Sequence, residues 1–331
     1  MAKKFLLKEN LTKNINKLKV NLPCGCKFCA VVKSNAYGHG VKNVVEAIDN
    51  FVDYFAVANV LEAKEVQLFT RKPILILCDD FDNLKNLNAE IGVYDISQIT
   101  KLKQINQHFD IHIAIDSGMN RLGIKTKKDL NKIVKECKRA KNITIKGFFS
   151  HLSDGENFER CKKQLAKFLS LSPKNKFLHI SSSNFEKLNK DFFLDMVRFG
   201  LALYANKRND SMRVTAKILQ IKKVNKNEYI GYGSKILAKS KMNIAVINIG
   251  YADGFLRANV GGDVLVCGER CKILNVCMSL TLIDLGNKKC DISDEVVVLG
   301  KGENDYISSQ EIATRCGTIP YEVLTNFSKL Q

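Results

Sequence analysis

The segment Val31–Gly40, VVKSNAYGHG, ends an apolar run on a lysine and follows it at once with an asparagine, a tyrosine, a histidine and two glycines. The apolar run reads as a buried strand, Phe28–Lys33, that carries the Lys33 amine to its C-terminal end. Other strand-like runs lead into comparable chemistry: Arg121, His151, Ser182–Ser183 and Arg198, with Tyr37 just beyond Lys33. A lysine gathered with two arginines, a histidine and hydroxyls can hold an anion and form an imine. Desolvation and nearby cations lower a lysine's pKa, and the neutral amine is the nucleophile. Each residue alone has a plainer reading. A lysine after a strand is usually surface, a lone histidine is usually a hydrogen-bonded structural one, and Ser181–Ser183 could cap a helix. Joint placement on strand ends is what points to a site.

The elements that must position these groups are read from periodicity. Short β-branched runs mark strands at Phe28–Lys33, Tyr54–Asn59, Ile74–Cys78, Ile91–Asp95, Ile111–Asp116, Ile143–Ser150, Phe177–Ser182 and Met196–Phe199. Segments of helical period lie between them. Val41–Phe51 has Val41, Val44, Val45 and Ile48 on one face, and Glu156–Leu171 has Phe158, Cys161, Leu165 and Phe168. Eight strand–helix units predict an α/β (β/α)8 TIM barrel, whose functional groups sit at the C-terminal strand ends. A doubly wound open sheet is the alternative, and the even spacing favours closure. After Val224 the long helical segments stop. Runs at Met242–Gly250, Asp263–Cys267, Cys271–Val276, Leu280–Leu285 and Glu295–Leu299, several separated by glycine pairs, predict a second, mainly β domain. The boundary is expected near Lys223–Glu228, giving domains over 1–225 and 226–331.

A chain of 331 residues that is 45% hydrophobic can bury a sizeable core. It has no apolar run near the 18 or so residues of a membrane helix. Its basic N-terminus lacks the apolar core and cleavage site of a signal peptide. A cytoplasmic location is expected, with no membrane partner. The 11 cysteines read as reduced, mostly structural thiols. Cys24, Cys26 and Cys29 have no matching second pair, so no metal is expected. The net charge of +18 is spread along the chain without a patch or nucleic-acid motif, so a solvated surface is expected rather than nucleic-acid binding.

The stretch AVVKSNAYGHG resembles the pyridoxal-phosphate lysine motif of alanine racemases. DSGMNRLGI (Asp116–Ile124), GFFSHL (Gly147–Leu152), MVRFGLALY (Met196–Tyr204), INIGYADGFLR (Ile247–Arg257), VCMS (Val276–Ser279) and TIPYEVL (Thr318–Leu324) are similar to that family's other signatures, in order. The resemblance implies that Lys33 holds pyridoxal 5'-phosphate as an imine and is one catalytic base, with Tyr251 the other on the opposite substrate face. Racemisation needs one group to take the α-proton and another to return one from the far side. A tyrosine with a pKa near 10 needs positive neighbours for that task. The resemblance supplies them as a hydrogen-bonded chain of His151 and Arg198, with Arg198 also facing the pyridine nitrogen. It further implies phosphate contacts from Tyr37, Ser183, Tyr321 and the backbone N–H groups of Gly200 and Leu201. Arg121 would meet the cofactor's phenolic oxygen and the alanine carboxylate, and Met278 would add a backbone contact to that carboxylate. Tyr251 and Met278 would reach the lysine of a partner chain, so a homodimer with shared active sites is implied, and the first residues would join the β domain. The activity implied is alanine racemisation, supplying D-alanine for peptidoglycan.

Three departures from the family pattern stand out. Ala114 replaces a lysine that many members carry seven residues before the arginine and carbamylate. No carbamate is expected here, and Arg121 must be balanced by another anion, chloride or Asp116. Ser182 replaces an asparagine, and Ser279, followed by Leu280, replaces an aspartate. These leave open a racemase of broader or different amino-acid specificity, while Lys33 and the phosphate contacts alone would also suit a second reading, a non-catalytic pyridoxal-phosphate carrier. The second does not account for Tyr251 or the β domain.

Overall fold

The computed structural model describes residues 1–181, 183, 190–206, 208–234 and 236–330. They form two compact units, one of Ile15–Ser34 and Val45–Leu203, the other of Met1–Asn14, Asn35–Val44 and Tyr204–Gln331.

The first unit is an eight-stranded parallel barrel of Lys27–Val31, Tyr54–Val57, Ile74–Ile76, Glu90–Val93, Phe109–Ala114, Ile143–Phe149, Phe177–His179 and Met196–Phe199. All eight lie where the sequence predicts strands. The last pairs with the first, Arg198 opposite Cys29. The seventh and eighth are stitched by Asp195 N–H to Leu178 O at 2.9 Å and Arg198 N–H to Ser181 O at 3.2 Å. Strands covered on both faces read as unbroken apolar runs, and Phe28–Val32 are all buried accordingly. The helices begin on side-chain caps: Asn59, Asp95, Thr126 and Asn157 each accept a backbone N–H of the first turn, worth ~1 kcal/mol each. The Asn157 cap places the start of helix Phe158–Leu171 two residues after the expected Glu156.

The second unit is antiparallel. Strand Met212–Val224 pairs through its first part with Lys3–Leu6 and Glu295–Lys301, and through its second with Met242–Ile247. From Met242–Ile247 the ladder continues to Thr281–Asp284, Glu269–Val276 and Asp263–Val266, and returns to Glu295–Lys301, closing a ring of six strands. The sequence places the boundary near Lys223–Glu228, whereas the units change over between Leu203 and Tyr204. The reason is the strand Met212–Val224: its partners are all β-unit strands, so the residues before Val224 go with them. Short helices Ser309–Cys316 and Pro320–Asn326 complete this unit. Among the described residues no helix is long and apolar enough to cross a membrane.

Candidate active site

The first strand stops at Val31, two residues before the expected Lys33, because the chain turns there into an unusual conformation. Lys33–Tyr37 is one helical turn in which Ser34, Asn35, Ala36 and Tyr37 all have φ between 51° and 54°. This is a left-handed turn without glycine, costing ~1–2 kcal/mol per residue. It is held from outside. Glu62 accepts Ser34 N–H and Ala58 N–H through its two carboxylate oxygens, each at 2.7 Å. Asn35 Oδ1 accepts Val41 N–H at 2.8 Å. His39 Nδ1–H donates to Ala36 O at 3.0 Å and Tyr37 O at 3.1 Å, while its Nε2 lies 3.1 Å from Ser211 Oγ, a hydroxyl that also reaches Tyr204 O at 3.0 Å. Lys33 itself has no acidic partner among the described residues.

Burial pushes the His39 pKa down to about 4, so the ring is neutral at physiological pH. Its folded pKa therefore lies below its unfolded value. The stability it contributes is complete above pH 6.5 and is lost as pH falls towards 4, by up to ~3 kcal/mol. Denaturant unfolding across that window is expected to show the loss, and His39→Asn to flatten it.

Further strand ends bring Arg121, His151, Ser183 and Arg198 to the same end of the barrel as Lys33. The loop after the fifth strand folds back on it, with Ile124 N–H on Ala114 O at 2.9 Å and Asp116 N–H on Ile124 O at 3.0 Å. This carries exposed Arg121 at the strand end. Gly123 lies so close that a Cβ would come within 2.6 Å of Asp116 N. Asp116 does not balance Arg121. Its carboxylate is buried, accepts Gly118 and Asn120 N–H at 3.0 Å each, and faces Lys125 at 3.7 Å. Of the two expected counter-anions, only one from solution remains. His151 follows the sixth strand. Burial, then the charges of Arg198, Arg121 and Lys33, push its pKa down to about 3, so it is neutral at physiological pH.

Arg198 is 4% exposed. Burial brings its pKa to about 10, with Cys29 raising it and Arg121 lowering it, so it stays charged at neutral pH. Its Nη2 donates to Ser150 O at 2.6 Å and its Nη1 to His179, at the ring Nδ1 and at the carbonyl. The resemblance implies a hydrogen-bonded chain with His151. Among the described residues both terminal nitrogens of the guanidinium are instead engaged by His179 and strand-edge carbonyls, and it reaches His151 only through its charge. No contact there uses Nε, and no carboxylate pairs with the group.

Behind Arg198 runs a chain of polar residues that the sequence does not reveal. His179 Nε2 lies 2.9 Å from His112 Nδ1, and His112 Nε2 lies 2.7 Å from Glu90 Oε2. Lys146 closes the chain on Glu90 Oε1. Gly147 makes the room, since a Cβ there would sit 2.6 Å from His112 Nδ1. Glu90 and Lys146 also line a cleft of about 650 Å³ at the N-terminal ends of the strands, remote from the residues described above. At the last strand end, Ser183 Oγ accepts Gly200 N–H at 2.8 Å and Ala202 N–H at 3.2 Å. The expected Ser182 lies outside the described residues.

In the second unit Tyr37 stacks on Tyr204, ring centroids 4.8 Å apart, and lies 5.9 Å from Tyr321. Tyr251 N–H donates to Cys277 O at 3.0 Å, and Ala252 N–H to Met278 O at 2.9 Å. Gly250 fits between them because it has no Cβ: one would come within 2.4 Å of both carbonyls. Tyr251 and Met278 are thus clamped side by side, 39% and 60% exposed.

Residues 8–207 match the alanine racemase N-terminal domain, and residues 211–330 the alanine racemase C-terminal domain. The chain belongs to the alanine racemase family. The alanine racemase of Thermodesulfovibrio yellowstonii is 35% identical over 343 residues, 96% of this chain and 93% of that one. The solved alanine racemase from Bacillus anthracis with bound L-Ala-P has a TM-score of 0.92 at 27% identity, covering 98% of this chain and 92% of that one. The one from Bartonella henselae with covalently bound pyridoxal phosphate has a TM-score of 0.86 at 27% identity, covering 98% and 97%. The members of this family are isomerases.

Proposed function

We propose that the protein interconverts L- and D-alanine with pyridoxal phosphate, supplying D-alanine for peptidoglycan. The observation that carries this reading is the strand-end set: Lys33 without an acidic partner among the described residues, with Arg121, Arg198 and a neutral His151 bearing on one another. These residues fit the cofactor. Lys33 offers an amine, Ser183 gathers backbone donors where a phosphate could replace its hydroxyl, and among the described residues no carboxylate lies on buried Arg198. Bound there, pyridoxal phosphate would supply an electron sink for the negative charge left on the α-carbon.

The chain's own groups do the rest. Lys33 Nζ holds or gives the proton on one face of the substrate, and Tyr251 Oη of a partner chain on the other. Arg198 donates to the pyridine nitrogen without surrendering a proton, since arginine stays charged. This limits the sink and favours simple proton return. Arg121 holds the substrate carboxylate, helped by the Met278 backbone. Gly200 and Leu201 N–H, Ser183, Tyr37 and Tyr321 are assigned the phosphate. Exposed Tyr251 and Met278, clamped side by side, give the second unit an apolar surface that a second copy would cover in a homodimer.

Incubating L-alanine with the cofactor-loaded protein in D₂O is expected to give α-deuterated alanine of both hands on chiral analysis. A bound-cofactor absorbance with no exchange of alanine or other amino acids would overturn the proposal in favour of a carrier. Faster exchange of another amino acid would reassign the substrate, a result for which Ser279 and Leu280 beside Met278 would be the first residues to test.

A further inference from the structure

We propose that Cys267, Cys290 and Asp294 form a binding site for a zinc-class divalent cation in the β unit, apart from the residues assigned to catalysis. Their ligand atoms lie within 4.8 Å of one another. The two sulfurs are 4.0 Å apart, and Cys267 Sγ is 3.9 Å from Asp294 Oδ2. Zinc bonds of about 2.3 Å to sulfur and 2.1 Å to oxygen, at tetrahedral angles, put such atoms roughly 3.6–3.8 Å apart. Contractions of a few tenths of an ångström at these two separations, with closer approach of Cys290 and Asp294, whose ligand atoms lie within 4.8 Å of each other, would complete three ligands, with water in the fourth position on the exposed Cys267 side. The sequence hid the site because the ligands are 23 and 27 residues apart from Cys267 and follow no paired spacing.

Local structure supports a role for these side chains. Cys267 and Gly268 form the two-residue hairpin between Asp263–Val266 and Glu269–Val276, with φ of 50° and 78°. This turn favours asparagine, aspartate or glycine at its first position, so cysteine is a costly choice there for backbone reasons. Asp294 is fixed: its Oδ2 accepts Asp291 N–H at 2.8 Å, and its carbonyl accepts Ile218 N–H at 3.0 Å. That backbone donor to the carboxylate would orient it towards a metal. The nearby Lys288 ammonium is paired with Glu269 at 3.4 Å. Binding would release two thiol protons and leave the carboxylate ionised. It would tie the hairpin turn to the loop before Glu295–Lys301.

The test is zinc uptake by the reduced, full-length protein, read by metal analysis after competition with a chromophoric chelator, together with the cobalt(II) spectrum. We expect one zinc per chain and a thiolate-to-cobalt charge-transfer band. Both should be lost in the Cys267→Ser and Cys290→Ser proteins, and affinity should fall on the order of tenfold in Asp294→Asn. They should be retained when the exposed Cys24 and Cys78 are replaced by serine. Circular dichroism of each variant separates loss of the site from loss of the fold. No stoichiometric uptake by the wild type, uptake undiminished in the Cys267→Ser/Cys290→Ser protein, or a Cys267–Cys290 disulfide with no metal taken up after reduction would each overturn the proposal.

Discussion

Co-expressing Lys33→Ala with Tyr251→Phe chains is expected to restore about a quarter of wild-type racemase activity, although each variant alone has almost none. Lys33→Ala removes both the amine that would hold the cofactor and one proton carrier. Tyr251→Phe removes the other carrier, a loss on the order of 10²–10⁴-fold for a general acid–base group. If each site takes its lysine from one chain and its tyrosine from the other, a mixed dimer has one site with both lesions and one with neither. Random pairing makes about half the dimers mixed, and half their sites work. If both residues served one site from one chain, no combination would carry an intact pair. The clamp on Tyr251 makes the phenylalanine variant a clean probe. Its placement depends on the backbone bonds to Cys277 and Met278 and on the bare Gly250, none of which involves the hydroxyl. Mixed dimers isolated through two different tags and found inactive would refute the shared site.

The barrel was legible because strands buried on both faces must be apolar throughout, and Phe28, Phe55, Ile76, Ile113, Phe148 and Val197 give that pattern directly. Strand Met212–Val224 was harder to read. Its second half is largely exposed on one face, and its lysines resemble a linker. Lys33, Arg121, His151 and Arg198 could be singled out because polar residues that follow apolar runs fall on one rim of a barrel. The left-handed turn after Lys33 could not, since four consecutive non-glycine residues at positive φ contradict local preference. It is held by Glu62 and His39, which lie outside the turn itself. Glu90, His112 and His179 were missed for a related reason. Inside apolar strands they look like isolated exceptions, and only the fold shows that each satisfies the next across 22 and 67 residues.

That chain carries the second large effect. Both histidines are fixed in one tautomer: Arg198 donates to His179 Nδ1, so His179 Nε2–H donates to His112 Nδ1, and His112 Nε2–H donates to Glu90. Burial and the charge of Arg198 hold His179 neutral. Burial opposes ionisation of Glu90, and His112 and Lys146 outweigh it, leaving its pKa lowered. Glu90→Leu therefore strands a buried donor on His112 and leaves Lys146 without its counter-charge. The stranded His112 donor costs about 1–3 kcal/mol, and the Lys146 ammonium, about a third exposed, is screened by solvent, so the melting temperature is expected to fall by roughly 5 °C. Adding Lys146→Met should return part of that stability, because it removes the unpaired cation. It should not return turnover. Without Glu90 the His112 tautomer is no longer imposed, and a His179 ring that carries its proton on Nδ1 turns a donor against Arg198. Turnover in the double variant is expected to stay depressed while cofactor absorbance is normal, and Glu90→Gln, which keeps an acceptor for His112, should lie between it and wild type. A double variant with full turnover would show that the chain supports only the fold and leaves Arg198 correctly placed without it.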